Sequence, residues 1–349
     1  MRRTLAAMLL TAVLFLLMVQ LALGDRGMVP VTPGVSVYEP GQKAIIGWNG
    51  REEILILSTD VKASQRTLVL EMLPLPSAPT RVELASFAAF EEVQSLIWRH
   101  VPKALRGYGK GVVEGVEVVF HERIGAHDVT VVEAGDLSEF MGWIADFLGE
   151  NGLQPEVSLK EFEPVLRDYM ARGFRHYVLD LVEVSPKENS VEPILYQFET
   201  RFLYYPLVIT SPLKGETRIT LFLLTSGRVE GGFYPLTKAC YVGLNRREPI
   251  EFWLSNGEIS KIDLRLGRLF GDGGAWLTVL TYEGSPGDLT SDLMITETSI
   301  TPSTPLVEVR VELATPTYLL AVFTVLGMAC TLAGAGLTYL ILRRTWRRG

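Results

Sequence analysis

Four histidines are the first residues to weigh, because imidazole serves both as a metal ligand and as a proton carrier near neutral pH. His121 and His127 lie close together, with Glu122 and Asp128 beside them. A zinc centre needs three or four such ligands at about 2.0–2.3 Å, held by elements of suitable spacing. Here they flank Gly125 between two β-branched runs, Val112–Phe120 and Asp128–Glu133, which read as paired strands with polar residues at their turn. His100 on a helix and His176 in a strand have no local partners at ligand spacing, and read as surface or core side chains. No metal ligand is assigned.

Nucleophile and phosphate motifs fare no better. Ser211-Pro212-Leu213-Lys214 has the Ser-x-x-Lys spacing that puts an activating lysine one helical turn after a serine. That chemistry needs a helix start, whereas Pro212, Gly215 and flanking strands spell a β-turn. The glycine-rich stretches Gly107–Gly111 and Gly271–Gly274 do not match Gly-x-x-x-x-Gly-Lys-Ser/Thr and lack the strand-to-helix setting of a phosphate loop, and read as plain loops. Adjacent carboxylates such as Glu52/Glu53 and Glu91/Glu92 abound in an acidic chain and carry no information on spatial distance. Phe198, Phe202, Tyr204 and Tyr205 before Pro206 read as a sheet core ending in a turn. No catalytic or cofactor-binding residue is assigned and no cofactor is expected.

The elements that would position any site begin with the two chain ends. Arg2 and Arg3 precede an apolar run from Leu5 to Leu23 that closes with Ala22-Leu23-Gly24, the parts of a secretory signal peptide with cleavage expected after Gly24. An uncleaved signal anchor is the alternative for so long a run. The extended twin-arginine motif is absent. Tyr318–Leu342 is uncharged over 25 residues, which as a helix spans roughly 37 Å, enough for a ~30 Å hydrocarbon core. Arg343, Arg344, Arg347 and Arg348 follow, which sets the C-terminus on the cytoplasmic side. Small residues at Ala329, Ala333, Gly334 and Thr338 permit self-association of that helix. The expected partners are therefore the membrane and an unknown protein.

Without those six terminal arginines, 27 of the 33 basic residues remain against all 40 acidic ones, so the middle of the chain carries 27 − 40 = −13. Such a charge disfavours nucleic acid and anionic lipid surfaces. Cys240 and Cys330 are the only thiols, and Cys330 lies in the expected membrane helix. No disulfide can staple the exported part, and Cys240 is expected as a small buried hydrophobe. None of Asn49, Asn151, Asn189, Asn245 and Asn256 opens a glycosylation sequon. These traits fit a prokaryotic surface protein.

Periodicity places strands at 42–48 and 53–58 around Asn49-Gly50, expected as a type I′ hairpin turn, and a third at 67–73 stopped by Pro74, Pro76 and Pro79. A helix spans 86–106, and a helical hairpin spans 136–172 with capping boxes Asp136/Glu139 and Ser158/Glu161. Further strands are expected at 174–184, 194–202, 207–210, 218–224, 250–254 and 275–282, with a helix at 259–269. The class is α+β: mixed or antiparallel sheets with a helical hairpin and a few further helices, plus one C-terminal transmembrane helix. The expected divisions are a signal peptide (1–24), an extracytoplasmic domain (25–283) with a potential subdivision near 135, a membrane-proximal stalk (284–317), the transmembrane helix (318–342) and a cytoplasmic tail (343–349). The stalk rests on Ser, Thr, Pro and Asp content, with an edge strand at Val307–Leu313.

Three phrases resemble a prokaryotic exported family, domain of unknown function 2330. They are Glu39–Ile46 with Trp48-Asn49-Gly50 and Glu53–Ser58, then Leu166–Phe174, then Tyr204–Thr210. The resemblance implies an exported location and an intact fold; it brings no activity and no functional residue. The favoured function is a membrane-anchored module for non-catalytic partner binding or envelope organisation. The alternatives are an envelope hydrolase with a site assembled from distant residues, and an accessory subunit of a membrane complex.

Overall fold

A computed structural model describes residues 27–31, 35, 37–100, 122–124, 127–153, 158–213, 215–242 and 246–303. The chain divides into two units, 1–304 and 305–349, and the second lies outside the described residues. So do the expected signal peptide, transmembrane helix, cytoplasmic tail and 307–313 strand, along with His121, Gly107–Gly111, Val112–Phe120 and Lys214. No helix among the described residues is long and apolar enough to cross a membrane.

In chain order, β1 (Gly27–Pro30), β2 (Val37–Trp48), β3 (Glu52–Ala63), β4 (Thr67–Leu75) and β5 (Pro79–Leu84) lead into α1 (Phe87–His100). After β6 (Glu122–Ile124) and β7 (Asp128–Glu133) come α2 (Leu137–Glu150) and α3 (Ser158–Ala171), then β8 (His176–Val184), β9 (Asn189–Val191), β10 (Ile194–Glu199) and β11 (Leu203–Tyr205). Next are β12 (Thr217–Thr225), β13 (Arg228–Val229), β14 (Thr237–Lys238), β15 (Cys240–Val242), β16 (Arg247–Pro249) and β17 (Glu251–Leu254). The helices α4 (Asn256–Ile262) and α5 (Leu264–Phe270), then β18 (Ala275–Gly284), β19 (Leu293–Ile295) and β20 (Ile300–Thr301) complete the order.

The α+β class holds. The main path of a ten-stranded sheet runs β14-β18-β12-β2-β3-β10-β5, and a four-stranded sheet runs β1-β4-β8-β7. The large sheet is mixed: β12 lies parallel to β2, while β2 and β3 form an antiparallel hairpin. Its central strands read as nearly continuous apolar runs because both faces are covered. On one face, Ile45, Ile54, Ile56 and Phe222 pack against Phe90 and Val93 of α1 and Ile259 and Leu266 of α4 and α5. On the other, Ile46, Leu55 and Leu57 join a core that includes Leu70 and Leu179 of the small sheet and Phe140, Ile144 and Phe162 of α2 and α3.

The hairpin at 42–58 forms, but its turn is not type I′. Only Gly50 has positive φ, +95°, and no non-glycine among the described residues does. Asn49 instead acts through its side chain, whose Oδ1 accepts the amides of Arg51 (3.0 Å) and Glu52 (2.9 Å). Asp136 caps α2 by accepting the Glu139 amide at 3.0 Å. The Ser158 side chain lies outside the described residues, although α3 begins there.

Several expectations need correction. Strand β4 runs through Pro74 to Leu75, and Pro79 opens β5 at a sheet edge, a position where a missing N–H is tolerated. The strand at 128–133 forms and pairs antiparallel with β8, while its expected partner at 112–120 lies outside the described residues. The segment expected as a strand at 207–210 is a 3-10 turn, Val208–Thr210. The helix at 259–269 is two helices broken at Asp263, whose extended backbone ends α4 and whose carboxylate caps α5. Cys240 is only half-buried, in the short β15–β16 ribbon.

The stalk boundary at 284 also moves. Residues 284–303 fold into the body: β19 pairs with β11, β20 pairs with β13, and the Trp276 indole donates to the Ser303 carbonyl at 2.9 Å. At Gly227 a Cβ would stand 2.4 Å from the Thr301 carbonyl oxygen, so only glycine lets that segment pass so close. Short pairings of this kind hide in polar, proline-containing sequence because they carry no periodicity long enough to read.

Candidate functional site

His127 precedes β7 and is almost enclosed, with 5% of its side chain exposed. Its Nδ1 lies 2.5 Å from Oδ2 of Asp180, in the middle of β8, and its Nε2 lies 2.9 Å from the carbonyl of Glu192, just before β10. A carbonyl can only accept, so Nε2 is the donor to Glu192, and Nδ1 is engaged by the Asp180 carboxyl group. Neither nitrogen is left to take a proton from a nucleophile. The ring ties the four-stranded sheet to the ten-stranded one.

The residues around that tie line one groove of about 380 Å³: Val82, Glu83 and Leu84 of β5, His127 and Val129, and Glu192 and Ile194. The groove lies where both sheets end, since β5 terminates the large sheet and β7 the small one among the described strands. Edge position explains the exposure of large apolar side chains there, Leu84 at 58% and Val131 at 43%. Glu83 is held below the usual carboxylate range by its hydrogen bond from Arg265. Glu192 is half-buried and makes no ion pair among the described residues. Behind His127, Oδ1 of the buried Asp180 has no hydrogen-bond donor.

A second polar assembly sits deeper. The Asp292 side chain is fully buried and accepts from the Tyr169 hydroxyl (2.7 Å), the Arg172 guanidinium (2.7 Å) and the amides of Leu207 (2.8 Å) and Val208 (2.9 Å). The Tyr169 hydroxyl in turn accepts the Ile209 amide at 3.1 Å. These bonds hold 207–210 in its 3-10 turn. Burial first, and then the neighbouring Asp292 charge, raise the Tyr169 pKa well above its usual value. Burial opposes the charge on Arg172, but the Asp292 carboxylate prevails and raises its pKa. Nearby, Gln42 donates to Glu39 (2.8 Å) and receives the Tyr205 hydroxyl, while the Tyr204 amide donates to Glu53 Oε2 at 2.7 Å. Glu53 is completely enclosed, and burial raises its pKa well above 4.5 against the lowering effect of the Tyr204 amide.

The residues singled out in the sequence are scattered. Asp128 is exposed on β7, the side chain of Glu122 is outside the described residues, and no group of three His, Cys, Asp or Glu able to hold a metal occurs among those described. His100 stacks on Phe252 with centroids 4.0 Å apart; burial lowers its pKa although Glu258 pulls the other way. His176 lies at the start of β8 with a buried Nδ1 that has no partner. Ser211 closes the 3-10 turn, with its amide bonded to the Val208 carbonyl, so it starts no helix. Phe198, Tyr204 and Tyr205 are core, as expected. Sequence reasoning missed Asp180, Glu192 and Asp292. Asp180 left a signal: one acid inside Val178-Leu179-Asp180-Leu181-Val182.

The class these features define is an α+β protein with two main sheets, a buried carboxylate network and, among the described strands, a groove where the two main sheets end. The chain belongs to the family described as "Uncharacterized protein conserved in bacteria (DUF2330)", whose model matches residues 24–296. The three phrases that resemble that family meet at the Asp292, Gln42 and Glu53 contacts. No curated protein matches the chain. Among solved structures, baculovirus P35 is 11% identical and covers 78% of this chain and 99% of its own, with a TM-score of 0.42. A mutated baculovirus P35 after caspase cleavage is also 11% identical, covering 74% of this chain and 99% of its own at 0.39. A putative nutrient binding protein from Legionella pneumophila is 9% identical, covering 78% and 71% at 0.25. Likenesses this weak carry no argument about function.

Proposed function

We propose that this protein is a membrane-anchored extracytoplasmic module that binds a protein partner without catalysing a reaction on it. The ends of the sequence support the location: a basic, apolar leader to residue 24 and an uncharged 318–342 stretch followed by arginines. The observation that carries the binding role is the groove between β5 and β7. It presents apolar side chains and the half-buried Glu192, which makes no ion pair among the described residues, while its one imidazole has both nitrogens engaged. A hydrolase using this site would need that imidazole free as a base.

Two measurements test the reading. Protease added to whole cells should digest the body and leave only the C-terminal residues; a body that survives refutes the location. A photo-cross-linking amino acid at Leu84 should capture a partner in intact cells that the same group at exposed Leu264, on α5, does not. Equal capture at both positions removes the groove from the proposal.

A further inference from the structure

Resting on that reading, we infer that the groove receives an extended cationic segment of another polypeptide, which adds as a strand to the edge of β5 that no described strand pairs and sets a lysine or arginine against Glu192. The backbone supplies the first reason. In an antiparallel ladder every second residue turns its N–H and C=O away from its partner strand. β5 is bonded to β10 on one side, and no described strand lies on the other. An edge of this kind is the template for strand addition, in which main-chain bonds give affinity and alternate side chains give specificity. The proline at the start of β5 and the charges of Arg81 and Glu83 limit indiscriminate pairing. β5 is six residues long, so the complementary segment is similarly short.

Charge supplies the second reason. The basic groups nearby are already committed: Arg81 pairs with Glu83 at 2.9 Å, and Arg265 pairs with Glu83 at 2.6 Å and Asp263 at 2.7 Å. The acidic groups are in surplus. Glu192 lines the groove half-buried and without a cation, and the exposed Asp128 and Glu133 of β7 also make no ion pair among the described residues. The side chains of Val82, Leu84 and Val129 offer apolar contact for the alternate residues of the incoming strand. An acidic segment would meet the like charges of Glu192, Asp128 and Glu133.

The probe is a fluorescein-labelled octapeptide of alternating lysine and valine, titrated by anisotropy against the purified full chain in non-ionic detergent. It should bind in the micromolar range. The glutamate–valine counterpart should not bind. A lysine–valine peptide N-methylated at alternate residues should lose at least tenfold in affinity, because it cannot complete the strand bonds. Glu192→Gln, checked for fold by circular dichroism, should weaken the lysine–valine peptide about fivefold, the size expected for one partly exposed ion pair. Equal binding of the acidic peptide or of the N-methylated one, or an unchanged affinity in Glu192→Gln, overturns the inference, as does failure of the lysine–valine peptide to bind. If that peptide fails while Leu84 still captures its partner in cells, the cationic-strand inference falls and the binding-module reading stands; if both fail, both fall.

Discussion

The Asp292 assembly and the β5–β7 groove are both polar, both built from residues distant in sequence, and opposite in how they use their hydrogen bonds. Asp292 is sealed, and its two oxygens serve a hydroxyl, a guanidinium and two backbone amides. At the groove, Glu192 is half-buried without a cation and Asp180 keeps an oxygen without a donor. A buried carboxylate with its bonds filled is a fastener, since breaking it strands several partners at once. Carboxylates with spare capacity beside an open edge contribute little to folding and are available to something else. A perturbed group is therefore not enough to mark a functional site: Tyr169 and Glu53 are strongly perturbed, yet both sit in the sealed region.

That contrast can be broken by mutation. Asp292→Ala should cost about 3–5 kcal/mol in urea unfolding, because it leaves a buried tyrosine hydroxyl and two amides without their acceptor and Arg172 with Asp168 alone. A loss below about 1 kcal/mol would place the assembly among surface ion pairs. Glu53→Gln tests the same region by pH. The unfolded chain releases the Glu53 proton near 4.5 while the folded chain retains it, so stability is fully present below that value and declines as pH rises toward the raised folded value. The variant should lack this decline when unfolding midpoints at pH 5 and pH 8 are compared with the wild type; parallel slopes would mean that folded Glu53 is ionised. Leu84→Ser should change stability by no more than about 0.5 kcal/mol and leave unfolding midpoints in place. Larger destabilisation there would make the groove part of the fastened core.

Much of the architecture was legible because long apolar runs leave little choice. The hairpin around Asn49-Gly50, β8, β12, β18 and the helical pair at 137–171 all follow from period and capping. Misreadings occur where a distant side chain overrides local preference. Leu207-Val208-Ile209 looks like a strand by composition, but Asp292 and Tyr169 bind its amides and close a turn. β5 was hidden by prolines that a sheet edge accepts. The histidine cluster near 121–128 drew attention for a reason, since His127 does reach a carboxylate. Its partner, however, comes from β8, 53 positions away, and no spacing rule could name it.

Stitching 284–303 into the body changes what the protein does under load. A pull applied at Ser303 would be felt first at the Trp276 indole and the short β13–β20 ladder. Trp276 belongs to β18, which is paired along its length with β12 in the large sheet. Load entering there would pass through β18 into the β12–β2–β3 centre of the large sheet before any helix felt it.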